Sequence, residues 1–319
     1  MSPGARADHA LVTGAAGFIG SHLCEALLAR GCEVTAVDCF TDYYDPAIKR
    51  RNLRQLAADP RFRLFELDLG VADLAALPGE PRWVFHLAAQ AGVRASWGRE
   101  FEGYARHNVL ATQRLLERYK GRPVERVVVA SSSSVYGDAE RLPTAEDDLP
   151  RPFSPYGVTK LAAEHLALLY ARNFGLPAVA LRYFTVYGPR QRPDMAFHRF
   201  ITALLAGGPI TVYGDGEQTR DFTFVTDAVT ANLAAAEQGK SGRVYNIGGG
   251  ARVSVNHVLA ALGRIAGREP IVARAAPQPG DPRDTGADVT RARNELGWTP
   301  RVALEDGLVR QFAWQKEGA

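Results

Sequence analysis

The chain has 319 residues, 46% of them hydrophobic and 23% charged, with a formal net charge of +3, enough for one large domain or two closely joined ones around a sizeable core. Its 38 basic residues are nearly all arginine and lie scattered rather than in runs, which argues against a nucleic-acid partner. No apolar run reaches the roughly 18 residues that a membrane span needs, and the opening MSPGARADHA lacks the apolar centre of a signal peptide.

In chain order, short β-branched runs alternate with helical periodicity, the mark of βαβ units. Strands are predicted at 9–14, 33–38, 62–68, 83–89, 126–133 and 178–184, with helices at 21–30 and 108–120 among the segments between them. Beyond about residue 185 the pattern changes. The turn-rich stretches 188–194 and 213–222 flank a helix near 197–205, and a strand at 243–249 returns toward the sheet. A helix near 254–267, a Pro-rich loop at 276–284 and a terminal helix follow. The expected fold class is α/β: a Rossmann-type doubly wound parallel sheet with a smaller interleaved C-terminal α/β substrate domain. The first domain takes 1–184 and 220–249, the second 185–219 and 250–319.

The first motif is Thr13-Gly14-Ala15-Ala16-Gly17-Phe18-Ile19-Gly20, between a strand and a helix. Glycines there permit a tight turn and close approach of a pyrophosphate to a helix N-terminus. Asp38 ends the next strand, 18 residues after Gly20; a carboxylate there accepts from a ribose diol and repels a 2′-phosphate, favouring NAD over NADP. A solvated strand-end carboxylate is the alternative. Further on, Tyr156 and Lys160 stand four apart in Tyr156-Gly157-Val158-Thr159-Lys160, on one face of a helix. An ammonium beside a phenol lowers the phenol's pKa, so that Tyr156 can take a proton from an alcohol while hydride leaves the same carbon. The three cysteines, Cys24, Cys32 and Cys39, have no metal-ligand spacing and suit a reducing cytoplasm as packing residues; no metal site is expected.

The TGxxGxxG spacing, the serine-rich Ser131-Ser132-Ser133-Ser134-Val135-Tyr136-Gly137 and the Tyr/Lys pair together resemble the short-chain dehydrogenase/reductase family. That resemblance implies that Asp68, with Leu69, meets the adenine. His86-Leu87-Ala88-Ala89-Gln90 would lie along the cofactor, and Ser132 would hydrogen-bond the reacting oxygen. Read as bare residues, Asp68 is equally a turn cap and Ala88-Ala89 ordinary tight packing. Ser133 and Ser134 are carried as substrate contacts, with strand-end capping as the plainer role.

Arg182-Tyr183-Phe184-Thr185-Val186-Tyr187-Gly188-Pro189, Thr211-Val212-Tyr213-Gly214-Asp215-Gly216, Arg220-Asp221-Phe222 and Leu296-Gly297-Trp298 resemble the extended, nucleotide-sugar branch of that family, the NAD-dependent epimerases and dehydratases. The likeness covers about residues 9 to 315. It implies a cofactor contact at Tyr183 and substrate contacts at Val212, Arg220, Asp281 and Arg283. A guanidinium fork at Arg220 suits diphosphate oxygens, and a surface salt bridge is its alternative. Dehydratases and decarboxylases of the branch carry an acid where this chain has Ser134, so the likeness favours simple epimerisation at C4.

Asp42-Tyr43-Tyr44-Asp45-Pro46, Ala89-Gln90-Ala91-Gly92-Val93-Arg94 and Arg192-Pro193-Asp194-Met195-Ala196 are similar to the UDP-glucuronate 4-epimerases. This implies a UDP-sugar substrate, UDP-glucuronate above the neutral or N-acetylated sugars and above decarboxylation. Arg192 and the Thr185 hydroxyl would face its carboxylate and Arg94 would be a further contact; for Arg192, a diphosphate contact or solvation remains open. A homodimer through helices such as 108–120 and 156–172 is expected on the same ground. Cys39 stands where the branch usually has Asn.

Overall fold

The computed structural model describes residues 8–77, 80–276, 280 and 282–318. The chain opens with β1 (His9–Thr13), α1 (Phe18–Ala29), β2 (Glu33–Asp38), α2 (Pro46–Leu53), β3 (Phe62–Glu66) and β4 (Trp83–His86). A continuous helical rod follows: α3 (Phe101–Tyr104), a π-helical stretch (Ala105–Leu110) and α4 (Ala111–Tyr119). Next come β5 (Arg126–Ser132), α5 (Pro155–Phe174), β6 (Ala178–Tyr183) and β7 (Val186–Tyr187). The remainder is α6 (Ala196–Ala206), β8 (Ile210–Tyr213), β9 (Thr219–Asp221), β10 (Thr223–Phe224), α7 (Val225–Gln238), β11 (Val244–Ile247), β12 (Arg252–Ser254), α8 (Val255–Ala266), β13 (Val272–Ala275), α9 (Thr290–Leu296) and α10 (Leu304–Glu317).

Seven strands form one parallel sheet in the order β11-β6-β5-β4-β1-β2-β3. The chain reverses direction across the sheet between β1 and β4, and ligands of open α/β sheets bind in the crevice outside the strand ends at such a reversal. Inner strands are buried on both faces, as helices on each side require. At the edge, β3 carries Arg63 and Glu66 and is largely exposed, which keeps other strands from pairing there. The expected doubly wound sheet is therefore present, with β11 as its far edge.

Several boundaries differ from the sequence expectation; β4, for one, stops at His86 rather than at 89. β3 stops at Glu66, so Asp68 lies in the following turn. β5 ends at Ser132, and residues 133–135 make a tight helical turn. The helix expected at 108–120 instead starts at Phe101 and carries the π-helical stretch through its middle.

One core on each side of the sheet surrounds Leu23, Leu27 and Phe85 or Leu11, Leu115 and Tyr119. A further core, around Tyr187, Phe197, Phe200, Ile201 and Leu262, fills the C-terminal lobe. Phe222, Phe224 and Val225 belong to that lobe's core, whereas Val229, Leu233 and Ala236 farther along α7 already pack on the large sheet, which the chain rejoins as a strand at β11.

Candidate active site

A cleft opens at the C-terminal ends of the central strands. Gly14, Gly17, Phe18, Ile19 and Gly20 form one wall, and Asp38, Leu69, Leu87, Ala88, Ala89 and Gln90 extend it. Gly14 has φ +68°, and a Cβ on it would lie 2.7 Å from the Ala88 nitrogen; one on Gly20 would lie 2.1 Å from the Gly14 carbonyl oxygen. Only glycine allows the turn, strand and helix to close up this far. No side chain caps the N-terminus of α1, so its first N–H groups, on residues lining the cleft, are left for an anionic group. Asp38 accepts from the Ala16 N–H at 3.0 Å and the Phe40 N–H at 2.9 Å, which fixes its carboxylate in the cleft wall. These residues fit a dinucleotide: glycines and free N–H groups for the pyrophosphate, a fixed carboxylate for a ribose diol.

Asp68 is not part of the lining. Its Oδ1 caps its own turn through the Gly70 N–H at 2.8 Å, and Arg106 stands 3.6 Å from Oδ2. Among the cleft-lining residues that carried no role in the sequence reading are Thr41, Tyr43, Tyr44, Lys49 and His107. Lys49 is buried and donates to the Thr41 carbonyl at 2.8 Å and its hydroxyl at 2.9 Å, holding that loop against the opening. The Tyr43-Tyr44 pair just after a ribose-side strand was the available signal.

The catalytic candidates come together. Ser154 caps α5, accepting from the Gly157 N–H at 3.1 Å, and Pro155 occupies its first position. That start sets Tyr156 and Lys160 on the cleft side one turn apart. Tyr156 lies beside Ser132 at the end of β5, and burial pushes its phenol above the ordinary value. The Ser132 hydroxyl and the Arg192 charge act the other way. Burial is the largest influence on this phenol, and Ser132 and Arg192 oppose it. Burial draws the Lys160 ammonium itself down to about 8, with Glu164, one turn on, pulling upward.

Two buried networks hold this pair. Behind it, Ser131 donates to Glu164 at 2.6 Å, and Glu164 takes a two-point ion pair from Arg182. Beside it, the π-helical stretch brings in Asn108, which accepts from the Gln90 N–H at 2.7 Å and donates to the Thr159 hydroxyl at 2.9 Å. His86 stands 2.8 Å from the Thr13 hydroxyl through Nδ1 and 2.9 Å from the Thr112 hydroxyl through Nε2, while Thr112 donates to the Asn108 carbonyl. With Thr112 already donating, the satisfied tautomer carries its proton on Nε2. Burial, then the Lys160 charge, takes His86 down to about 3. The sequence showed a helix here; a π-helical stretch has no local spelling of its own.

Arg192 lines the same cleft, close enough for its charge to act on the Tyr156 phenol. Its guanidinium is held by Asp194, through Nε and Nη2, each at 2.9 Å. Thr185 is half-buried at the end of β6, in the turn before β7. Tyr183 lines the cleft and donates to Asn232 at 2.9 Å. Ser133 and Ser134 are half-buried in the turn after Ser132. Arg94 stacks over the Tyr213 ring, 4.3 Å from its centroid.

Arg220 lies on β9, donating to the carbonyls of Thr219 and Arg283 at 2.9 and 3.0 Å. Arg283 is exposed and ion-paired with Asp215 at 3.2 Å. None of these last five residues lines the cleft around the glycine turn. Val212 is corrected: it is 1% exposed in the core of the C-terminal lobe, so its side chain has no surface to offer a substrate. Asp281 lies outside the described residues. Among the described residues no group of three or more His, Cys, Asp or Glu is placed to hold a metal ion, and no helix is long and apolar enough to cross a membrane.

Comparison with known proteins agrees with this geometry. The NAD dependent epimerase/dehydratase family matches residues 10–248. The chain is 38% identical over 315 residues to a UDP-glucuronate 4-epimerase of Thermodesulfobacterium geofontis, covering 96% of each chain. It is 45% identical over 308 residues to an uncharacterised UDP-glucose epimerase of Bacillus subtilis, covering 95% of this chain and 96% of that one. The UDP-glucuronic acid 4-epimerase of Bacillus cereus, solved with UDP-glucuronic acid and NAD, superposes with a TM-score of 0.94 at 44% identity over 98% of this chain and 100% of that one.

Proposed function

This chain belongs to the NAD-dependent epimerase/dehydratase family, and we propose that it is a UDP-glucuronate 4-epimerase, interconverting UDP-glucuronate and UDP-galacturonate. The observation that carries the uronate reading is Arg192, a guanidinium in the cleft wall beside the Tyr156 phenol. The likeness to the epimerases of Thermodesulfobacterium geofontis and Bacillus cereus supports it.

NAD, when bound, accepts hydride from C4 of the sugar and gives it back. The glycine turn and the α1 N-terminus hold the pyrophosphate, and Asp38 the adenosine ribose. Leu69, Leu87, Ala88, Ala89, Gln90 and Tyr183 line its path. Tyr156, as the phenolate that the Lys160 ammonium one turn away favours, takes the proton of the C4 hydroxyl as hydride leaves that carbon, giving a 4-keto sugar, and returns it when hydride comes back to the other face. Ser132 hydrogen-bonds both Tyr156 and the reacting oxygen, while Lys160 sits one turn behind.

Arg192 and Thr185 face the sugar carboxylate; Arg94, Ser133 and Ser134 complete the sugar side, and Arg220 and Arg283 serve the UDP end. Holding the carboxylate matters because the oxidised sugar is a β-keto acid. It loses CO2 when the C5–carboxyl bond stands perpendicular to the carbonyl plane.

A neutral UDP-hexose is the second reading. The observation that favours it is Asp194, which already answers the Arg192 charge. Incubation with UDP-glucuronate and, separately, UDP-glucose, followed by chromatography, decides between them. Conversion of UDP-glucuronate to UDP-galacturonate supports the proposal; UDP-glucose conversion alone, or release of CO2 with a UDP-pentose, overturns it.

We further place the enzyme in the cytoplasm, where its three free cysteines stay reduced, as a homodimer. Leu110, Val158 and Leu169, each about half exposed on neighbouring helices, supply an apolar face for the second copy. The division into an NAD lobe (1–184, 220–249) and a sugar lobe (185–219, 250–319) belongs to the same proposal, with β9 at the seam and Phe222, Phe224 and Val225 packing across it into the sugar lobe's core.

A further inference from the structure

Arg192 presents one edge of its guanidinium to a carboxylate of its own chain. Nε donates to Asp194 Oδ1 and Nη2 to Oδ2, both at 2.9 Å, and Tyr43 donates to the same Oδ2 at 3.4 Å from across the cleft. The Arg192 side chain is 21% exposed and that of Asp194 35%, so this is a half-buried pair. A guanidinium has a second edge, formed by Nη1 and the outer N–H of Nη2, and Nη1 carries no hydrogen bond among the described residues. Two carboxylates can therefore share Arg192, one on each edge.

We propose that Asp194 is the standing counter-ion of Arg192, a positioning and specificity-determining residue that lets the sugar carboxylate disengage while the 4-keto ring turns over. The inference rests on the uronate reading given above. To receive hydride on the opposite face the sugar must re-present itself to the same hydride site, so the carboxylate held against CO2 loss has to let go only as the ring turns and be taken up again before reduction. Removing the carboxylate from a half-buried guanidinium that no other carboxylate among the described residues meets is unfavourable. With Asp194 in place the charge stays paired throughout, and the contact with substrate becomes exchangeable. The consequence is a looser hold on the uronate at rest, since Asp194 repels the substrate's own carboxylate through a medium that screens less than water. A neutral part of the ligand feels none of this.

The test is Asp194→Asn, which leaves an amide oxygen to accept from Arg192 and removes the charge. With UDP-glucuronate, KM and kcat are both expected to fall, each by about tenfold, because the substrate is held more tightly and released more slowly. Calorimetric affinity for UDP alone should stay within about twofold of native. Asp194→Glu should recover most of the native kcat.

A KM that rises or holds, or a kcat that holds, overturns the inference. So does a loss of UDP affinity in step with KM, which marks Asp194 as ordinary loop support. Native enzyme that leaves UDP-glucuronate unconverted overturns the substrate reading and this inference with it. Native turnover combined with any of the failing patterns overturns the inference alone.

Discussion

Glu164 and Arg182 meet as a two-point ion pair, 2.6 and 2.9 Å, with neither side chain more than 4% exposed. Arg182 also donates to the Tyr136 hydroxyl at 2.7 Å and the Glu146 carbonyl at 3.1 Å. Ser131 donates to the same Glu164 oxygen that meets Arg182 Nε. This cluster joins β5, α5 and β6 directly beneath Ser132, Tyr156 and Lys160.

Removing one partner leaves a buried charge unanswered, so Arg182→Met should destabilise the fold by about 3–5 kcal/mol. Replacing both, Arg182→Met with Glu164→Met, should cost clearly less than either single change, because no lone charge remains. Urea unfolding of the three variants checks this; a double variant as unstable as the sum of the singles would show that the pair itself is not what matters.

Tyr156→Phe removes the phenolic proton carrier and leaves the helix start at Ser154 intact. Turnover should drop by about 10²–10⁴-fold, while bound NAD and thermal unfolding stay near native. Ser132→Ala should fall by less, since it supports the phenol rather than replacing it. Steady-state rates beside an assay of retained cofactor separate the two.

Gly20→Ala would place a methyl 2.1 Å from the Gly14 carbonyl, on backbone that cannot swing away. The helix has to move off the turn, at a cost of about 1–3 kcal/mol. NAD recovered with the purified protein should fall sharply. A variant that keeps its full complement of NAD would show the close approach to be unnecessary.

His86 is neutral in the fold, at about 3, against its ordinary value of 6.5. Between those values the unfolded chain binds a proton that the folded one refuses, so this residue's contribution to stability is whole above pH 6.5 and shrinks as pH falls toward 3. The slope is about 1.4 kcal/mol per pH unit at most. His86→Gln, which can still reach the threonine hydroxyls, should flatten the stability curve between pH 4 and 6.5. An unchanged slope in that window would place the acid sensitivity elsewhere.

Much of the fold was open to reading because its signals are local. Strand and helix periodicity, the glycine spacing, the four-residue step from Tyr156 to Lys160 and the cap at Ser154 all act within a few residues of chain. What misled were inferences that needed a distant neighbour. Val212 reads as a binding-loop residue in its segment but points into the C-terminal lobe's core. Asp68 stands beyond the strand it was expected to end, capping its own turn. The phenol's elevated pKa is the work of burial, which depends on everything packed around it.

The sequence by itself determined a dinucleotide-type cleft and the residue types for alcohol oxidation, since backbone turns and helical spacing are written in adjacent residues. Only the tertiary structure decided how those groups are charged and held. It set Arg192 against Asp194 with Tyr43 reaching in from another loop, and Glu164 under Arg182. It also brought the π-helical stretch carrying Asn108 against Thr159. Charge pairing and desolvation depend on distance in space, and residues far apart in the chain meet only when the fold closes.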